Sequence, residues 1–407
     1  MRGVNHEQFG ANVGLIVQKY GGTSVGTIDR IKHVAAHIAH TVQSGDQVVA
    51  VISAMGDQTD ELLAMAHAIS ANPPRRELDM LLTSGERIAM ALVTIALHEL
   101  GQKAVSLTGS QSGIITDTVH GNARISRIGP VRIQENLAAG QVVIVAGFQG
   151  VSAETKEITT LGRGGSDLSA IALAAALGAK SVQLFKDVDG VCTADPRVVP
   201  DAKMIPFLDW SSMTEMAWAG ASVLHPRGAH LAAKFNLPVE IRSSFNLGSQ
   251  GTVIKGEVSV ETSVVQGVTH KKGMAIIKGT LGEHSQESLQ RLREWLWSQG
   301  ESPQIQTQFA SMGRLEFCWS VPQGLAVEAT KVLSQGSHIS SEIHIEECGL
   351  VTIVGSGFWQ SPETLGLISK AVPYARLIDV KNPSVTIAVP VNHLDEAVRD
   401  LHKALIK

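Results

Sequence analysis

Apolar residues recur along the first 250 residues in two alternating rhythms. Short unbroken apolar runs at residues 13–17, 47–52, 104–107, 141–145, 181–185 and 238–242 read as strands buried on both faces. Between them lie stretches whose apolar positions fall three or four apart. Ile28, Ile31, Val34, Ala35, Ile38 and Val42 mark one helix, and residues 76–100 and 167–177 mark two more. This alternation predicts a mostly parallel sheet covered by helices on both faces. The turn-rich segment 244–251 reads as a linker or hairpin end. Beyond residue 262 the rhythm changes. Residues 274–278, 286–298, 305–309, 314–320 and 325–333 read as strand, helix, strand, strand and helix, and residues 350–354, 363–372, 375–380, 385–389 and 394–405 repeat that order. Two such rounds predict two small α+β modules.

Composition narrows the class. With 407 residues the chain exceeds one typical domain, and 44% apolar with 18% charged residues is ordinary for a folded protein. Only 4% is aromatic, which suits small helices packed on a sheet. A net charge of −4 offers no basic stripe for nucleic acid. No apolar run is expected to span a bilayer, and the polar N-terminal residues lack the core of a secretory signal. Cys192, Cys318 and Cys348 show no CxxC or metal spacing. These features point to the cytosol. His33, His37 and His40 share a helix and read as a solvated face rather than a metal site.

Two glycine turns carry candidate chemistry. Lys19-Tyr20-Gly21-Gly22-Thr23-Ser24-Val25 follows a strand and precedes a helix. Its glycines let backbone approach a ligand, the helix start offers free N–H groups to an anion, and Lys19 adds a mobile positive charge. No Walker P-loop pattern is present. Thr160-Leu161-Gly162-Arg163-Gly164-Gly165-Ser166-Asp167 also precedes a helix. Ser166 or Asp167 could cap that helix, and Arg163 with the glycines could equally hold an anion. Turns facing one crevice at the strand C-termini would set Lys19 and Arg163 on opposite sides of a polyphosphate and its acceptor. Three more segments stand out: Ser53 to Thr59, Thr83 to Arg87, and Lys186 to Arg197. Alone they read as a turn, a surface helix and an Asx-turn loop. Asp187, Asp189 and Gly190 do not make a calcium loop, because no glutamate completes it.

Taken together, KYGGTSV, SAMGDQTDELL, TSGERIAMAL, GFQG, TLGRGGSDLSA, DVDGVCTADPRVV and GASVLHPR resemble the aspartate kinases of the amino-acid kinase superfamily in order and spacing. The C-terminal pair of modules resembles the two ACT domains of that family. The resemblance implies an α/β fold: a three-layer αβα kinase domain over residues 13–258 with a mostly parallel sheet, then two small α+β ACT-like domains over 262–407 for regulation and dimerisation. It implies transfer of the γ-phosphoryl of ATP to the β-carboxylate of L-aspartate, giving 4-phospho-L-aspartate, the step that opens lysine, threonine and methionine biosynthesis. Mg²⁺ would arrive with ATP, with no protein-held metal site. The partners implied are aspartate and ATP, with a homodimer or higher homo-oligomer and no nucleic acid or membrane.

Site residues follow from the same resemblance. Lys19, Asp167 and Arg163 would be catalytic. Lys19, Gly21, Gly22, Ser166, Lys186, Asp187, Cys192, Asp195, Arg197 and Ser222 would line the ATP site, and Ser53, Thr59, Glu86 and Arg163 the amino-acid site. Arg163 can pair with the α-carboxylate and Glu86 with the ammonium. Two alternatives stand beside this reading: a degenerate or regulatory paralogue with a weakened ATP site, and a superfamily kinase for glutamate, acetylglutamate or UMP. The SAMGDQT and SGER blocks argue against the latter.

The chain also departs from the family pattern. Cys192 stands where a nucleotide-lining tyrosine is usual, and Ser222 where a lysine is usual. Loss of that lysine would weaken ATP binding by on the order of a few kcal/mol, and Lys186 is positioned in sequence to compensate. The turns at residues 281–286 and 357–363 lack the Asp-x-Pro-Gly-like pattern of effector-binding ACT domains. Trp295, Trp297 and Trp319 are expected in a core or an interface. Lys186→Ala is expected to raise the KM for ATP and Ser222→Lys to lower it; unchanged values in both would refute the compensation. Titration with lysine or threonine is expected to show altered or absent feedback inhibition, and strong inhibition by lysine would refute that.

Overall fold

The structure, a computed structural model, describes residues 14–256, 264–282, 285–311, 314–335, 343–358 and 361–406. They fall into two units, one within residues 1–191, 206–210 and 223–257, the other within 192–205, 211–222 and 258–407. The boundary expected at 258–262 and the polar leader lie outside the described residues.

The first unit begins with β1 (Leu15–Tyr20), α1 (Ile28–Gln43), β2 (Gln47–Ile52), α2 (Gln58–Ile69), α3 (Arg75–Glu99) and β3 (Ala104–Leu107). There follow β4 (Ile114–Thr116), β5 (Ile125–Ile128), α4 (Val131–Ala138), β6 (Val142–Ala146), β7 (Gln149–Ser152) and β8 (Ile158–Thr160). The rest is α5 (Gly165–Leu177), β9 (Ser181–Lys186), β10 (Phe207–Leu208), α6 (Trp210–Trp218), α7 (Pro226–Lys234), β11 (Val239–Ser243) and β12 (Thr252–Ile254), with the body of α6 belonging to the second unit. An eight-stranded sheet runs β10-β12-β11-β9-β1-β2-β6-β3, and its six strands from β11 to β3 are parallel. Val48, Ala50, Ile52, Ile144 and Ala146 meet α1 and α3 in one buried cluster. Helix α5 lies on the opposite face and is buried from Gly165 to Ala174, which explains its apolar run from Ala170 to Ala174. Full burial of Leu168, Ile171 and Leu173 contributes about 1.5–3 kcal/mol each. The result is helix, sheet, helix: three layers. By length and composition α3 could cross a bilayer, at 25 residues with a window of mean hydropathy 1.5, contrary to the expectation that no run would. Here its Ala89, Val93 and Leu97 are fully buried against the sheet.

The second unit carries β13 (Val264–Leu281), α8 (Ser285–Ser298), β14 (Gln306–Ser311), β15 (Arg314–Pro322) and α9 (Ala326–Ser334). It ends with β16 (His344–Ser356), α10 (Pro362–Ala371), β17 (Leu377–Lys381), β18 (Ser384–Val389) and α11 (Leu394–Leu405). Both expected rounds are present. Their first strands, β13 and β16, pair antiparallel from Val264 to Lys278, so the two modules share one six-stranded sheet, β14-β15-β13-β16-β18-β17. Trp319 is fully buried in the first module's core, Trp295 packs beside it, and Trp297 is half-exposed near Trp218. The segment after Val191 is stitched to this sheet: Val268 N donates to Thr193 O at 2.7 Å, and Thr193 Oγ1 meets His402 Nε2 at 2.8 Å. Helix α6 is tied similarly, Glu215 accepting from Ser384 Oγ at 2.7 Å and pairing with Lys381 at 3.3 Å.

Strand β1 alternates sharply. Gln18 and Tyr20 face α1, while Lys19 faces α5. Gln18 Nε2 donates to Thr41 Oγ1 and Gln183 Oε1, both at 3.0 Å. Tyr20 OH meets His37 Nδ1 at 2.7 Å, and its ring stacks on Phe185 with centroids 4.8 Å apart. His37 is therefore not part of a solvated face; periodicity places it on the helix edge, where the Tyr20 hydroxyl draws it inward. Burial, reinforced by Arg242 and His40, lowers its pKa to about 4. Folding thus keeps neutral a group that is protonated below about 6.5 when unfolded. Stability from this site is complete above that value and is lost as the pH falls toward 4. The melting temperature is expected to drop over this interval, and His37→Gln to flatten the drop; an identical pH profile for both proteins would refute the assignment.

Candidate active site

Lys19 and Lys186 stand at the C-terminal ends of neighbouring parallel strands, Lys19 in register with Leu184 and Lys186 ending β9. This is the edge at which open α/β sheets bind ligands. Between the two lysines sits Asp167, in the first turn of α5. Lys19 Nζ pairs with its Oδ1 at 2.8 Å and Lys186 Nζ with its Oδ2 at 2.6 Å. Lys19 is 6% exposed and Asp167 2%, so water screens neither. Burial pushes the Lys19 ammonium down from its usual pKa, and Asp167 opposes this. Burial alone would raise the Asp167 carboxyl, but Lys186 and Lys19 together hold it well below the usual carboxylate range. Two ammonium groups and one carboxylate leave one positive charge without a counter-ion inside the cluster. Asp167 is thus fully engaged with lysine side chains. The expectation that it or Ser166 caps α5 is corrected: Gly164 occupies the cap with no side-chain bond.

The turn after β1 is closed by Gly21 N donating to Phe185 O at 3.3 Å. Gly22 is bare for a packing reason. A Cβ there would stand 2.9 Å from Gly56 O and 3.1 Å from Ala54 O, inside contact distance. The turn holding Ser53 is fastened to the same place, Ser53 N donating to Tyr20 O at 3.1 Å and Gly56 N to Gly22 O at 3.0 Å. Thr59 follows, half-buried, in the first turn of α2. Glu86 on α3 meets the far side of that turn. It is 3% exposed, and its Oε2 has no hydrogen-bond partner among the described residues. Burial raises its carboxyl to about 7, against hydrogen bonds from the backbone of Glu86 itself and of Ala54 and the charge of Arg87. A buried carboxyl with an open oxygen is matched to a cationic ligand group. The TSGER block is accordingly no surface helix; Thr83 and Glu86 are buried.

Arg163 projects from the loop between β8 and α5, its side chain 92% exposed, and its nearest anion is Asp60 at 3.9 Å. Gly164 next to it has φ +70°, and a Cβ there would stand 2.5 Å from the His225 ring, so this position admits only glycine. His225 itself had no assigned role. Its Nδ1 accepts from Arg227 N at 3.2 Å. Burial lowers its pKa, Arg227 and Lys186 adding to the effect and Asp167 opposing it, so a neutral imidazole lies beside the lysine cluster. The histidine before proline at a helix start was the available signal. Ser166 is buried near Gly147, and Asp187 is exposed just beyond Lys186. Cys192, Asp195, Arg197 and Ser222 belong to the second unit. There Cys192 bridges to Met204, Arg197 pairs with Asp195 at 2.8 Å, and Ser222 Oγ donates to Gly220 O at 3.3 Å.

Comparison with known proteins gives the family. The Amino acid kinase family model matches residues 14–243. An aspartokinase of Geobacillus stearothermophilus is 41% identical over 400 residues, spanning 96% of this chain and 97% of the relative. One of Mycolicibacterium smegmatis is 38% identical, spanning 96% of each. The fold is shared with E. coli aspartokinase III, solved in complex with aspartate and ADP, at a TM-score of 0.82 and 23% identity over 97% of this chain and 100% of that one. A match of this extent across both units makes the chain a member of the aspartokinase family of amino acid kinases.

Proposed function

We propose that the chain transfers the γ-phosphoryl group of ATP to the β-carboxylate of L-aspartate. The observation that carries this reading is the buried Lys19–Asp167–Lys186 cluster, whose excess positive charge calls for an anion. The relatives' shared name supplies the acceptor.

The acceptor carboxylate is ionised at neutral pH, so no general base is needed. The task is to hold two anions in line and neutralise the charge that migrates between them. Lys19 and Lys186, spread apart by the carboxylate they share, stabilise that charge from two sides. Asp167 keeps both ammonium groups oriented without neutralising them. Arg163 takes the α-carboxylate and Glu86 the α-ammonium, which leaves the β-carboxylate free to attack. Mg²⁺ would be carried on the nucleotide's phosphates, where it would neutralise further charge. We place the enzyme in the cytosol, where ATP and free aspartate meet. We also propose a homo-oligomer formed through the second unit, whose edge strand β14 exposes Phe309 at 67%.

Incubation with ATP, Mg²⁺ and hydroxylamine is expected to trap aspartyl hydroxamate, and to give none with glutamate or acetylglutamate nor phosphorylation of UMP; a product from one of those instead of aspartate would overturn the reading. Glu86 adds a pH signature. Its carboxyl must be ionised to receive the ammonium, so kcat/KM for aspartate is expected to fall as the pH drops through about 7, while kcat at saturation stays level. Glu86→Gln is expected to raise the KM for aspartate on the order of tenfold or more and to abolish that pH dependence; a variant retaining the wild-type profile would refute the role.

A further inference from the structure

We infer that Asp79 is a positioning residue that sets where the Arg163 arm is rooted relative to Glu86, the two groups gripping the amino-acid acceptor. The inference rests on the assignment of Arg163 and Glu86 to that acceptor.

Asp79 lies on α3 and is 1% exposed. Its carboxylate gathers three donors from a different part of the unit. Thr160 Oγ1 donates to Oδ1 at 2.5 Å, His120 Nδ1 lies 2.6 Å from Oδ2, and Gly121 N is 3.2 Å from both oxygens. A buried carboxylate satisfied by three donors is a strong, directional fastener.

What it fastens is the root of the Arg163 loop. Thr160 ends β8, and Leu161, Gly162 and Arg163 follow directly. The next link is made from the other side. Arg227 on α7 donates to Leu161 O at 2.9 Å, Asn122 Oδ1 at 3.0 Å and Ala123 O at 2.8 Å. Ala123 N in turn donates to Thr160 O at 2.8 Å. The loop is therefore anchored at Thr160 to α3 and at Leu161 to α7, while the Arg163 side chain is left in solvent.

Helix α3 also carries Glu86, two turns beyond Asp79 and buried like it. An α-helix is a rigid ruler of 1.5 Å per residue, so Asp79 and Glu86 are held about 10 Å apart along one rod. By gripping Thr160, Asp79 ties the Arg163 loop to that rod. The root of the carboxylate-binding arm and the ammonium-binding group are thereby held at one separation, which bounds the acceptor the arm can reach. Asp79 touches neither substrate; it acts through the backbone of Thr160.

Steady-state kinetics and thermal unfolding of Asp79→Asn, Thr160→Val, Arg163→Ala and Asp79→Asn/Arg163→Ala test this. Asp79→Asn and Thr160→Val are expected to raise the KM for aspartate roughly tenfold while leaving kcat and the KM for ATP within about twofold. In the double variant, Asp79→Asn is expected to add less than about twofold to the effect of Arg163→Ala. Parallel losses in kcat and both KM values, or additive effects in the double variant, would mark Asp79 as a plain fold anchor and overturn the inference. Thr160→Val removes only one donor at constant volume, so it gives the answer even where Asp79→Asn does not fold. If Arg163→Ala leaves the KM for aspartate unchanged, the acceptor assignment fails and the inference with it. If Arg163→Ala raises that KM and Thr160→Val does not, the inference alone fails.

Discussion

One carboxylate shared by two ammonium groups organises this molecule. With a single lysine, Asp167 would form a neutral pair and the strand ends would have no call on an anion. With two, it leaves a buried positive charge and also keeps the lysines apart. Several features exist so that this contact can form. β1 and β9 must be adjacent and parallel, in the register that brings Lys19 and Lys186 to one edge. Helix α5 must be buried along its length, or its first turn would not reach that edge. The helix N-terminus adds its own partial positive charge beside Asp167. Take Asp167 away and the remaining pair of ammonium groups would repel across a nearly dry gap, so the position binds charge chemistry and folding together.

Around this centre, two glycines let the backbone come closer to its neighbours than a side chain would permit. Gly22 meets the Ala54–Gly56 turn, and Gly164 meets the ring of His225. Each contact joins pieces remote in sequence: the first strand to the second, the α5 loop to α7. The Ala54 turn also touches Glu86, so one short turn connects the Gly22 turn with the buried carboxyl of α3. Neither can drift without moving the other.

Much of this was legible in the chain. The parallel strands announce themselves as apolar runs because both their faces are covered, and each was found within a few residues of its expected place. The glycine turns were legible because nothing else fits there. What escaped is equally physical. The small sheet β5-β4-β7-β8 has strands of three or four residues, too short to display a period. The inward role of His37 depends on Tyr20 across the α1 interface, and the lysine cluster depends on strand order. Neither is local information. Asp79 looks in sequence like any charged residue near a helix start; only the fold shows its donors.

Arg163 differs in kind from every other group around the proposed acceptor. Glu86, Lys19 and Asp167 are buried before anything binds, but the Arg163 side chain stands in water. Capturing a carboxylate means freezing a side chain that carries about 2 kcal/mol of rotamer entropy. That loss weakens retention of substrate and product alike, since both bear the same α-carboxylate. A site closed by a loose arm on a fixed shoulder therefore lets go readily: it favours turnover over grip.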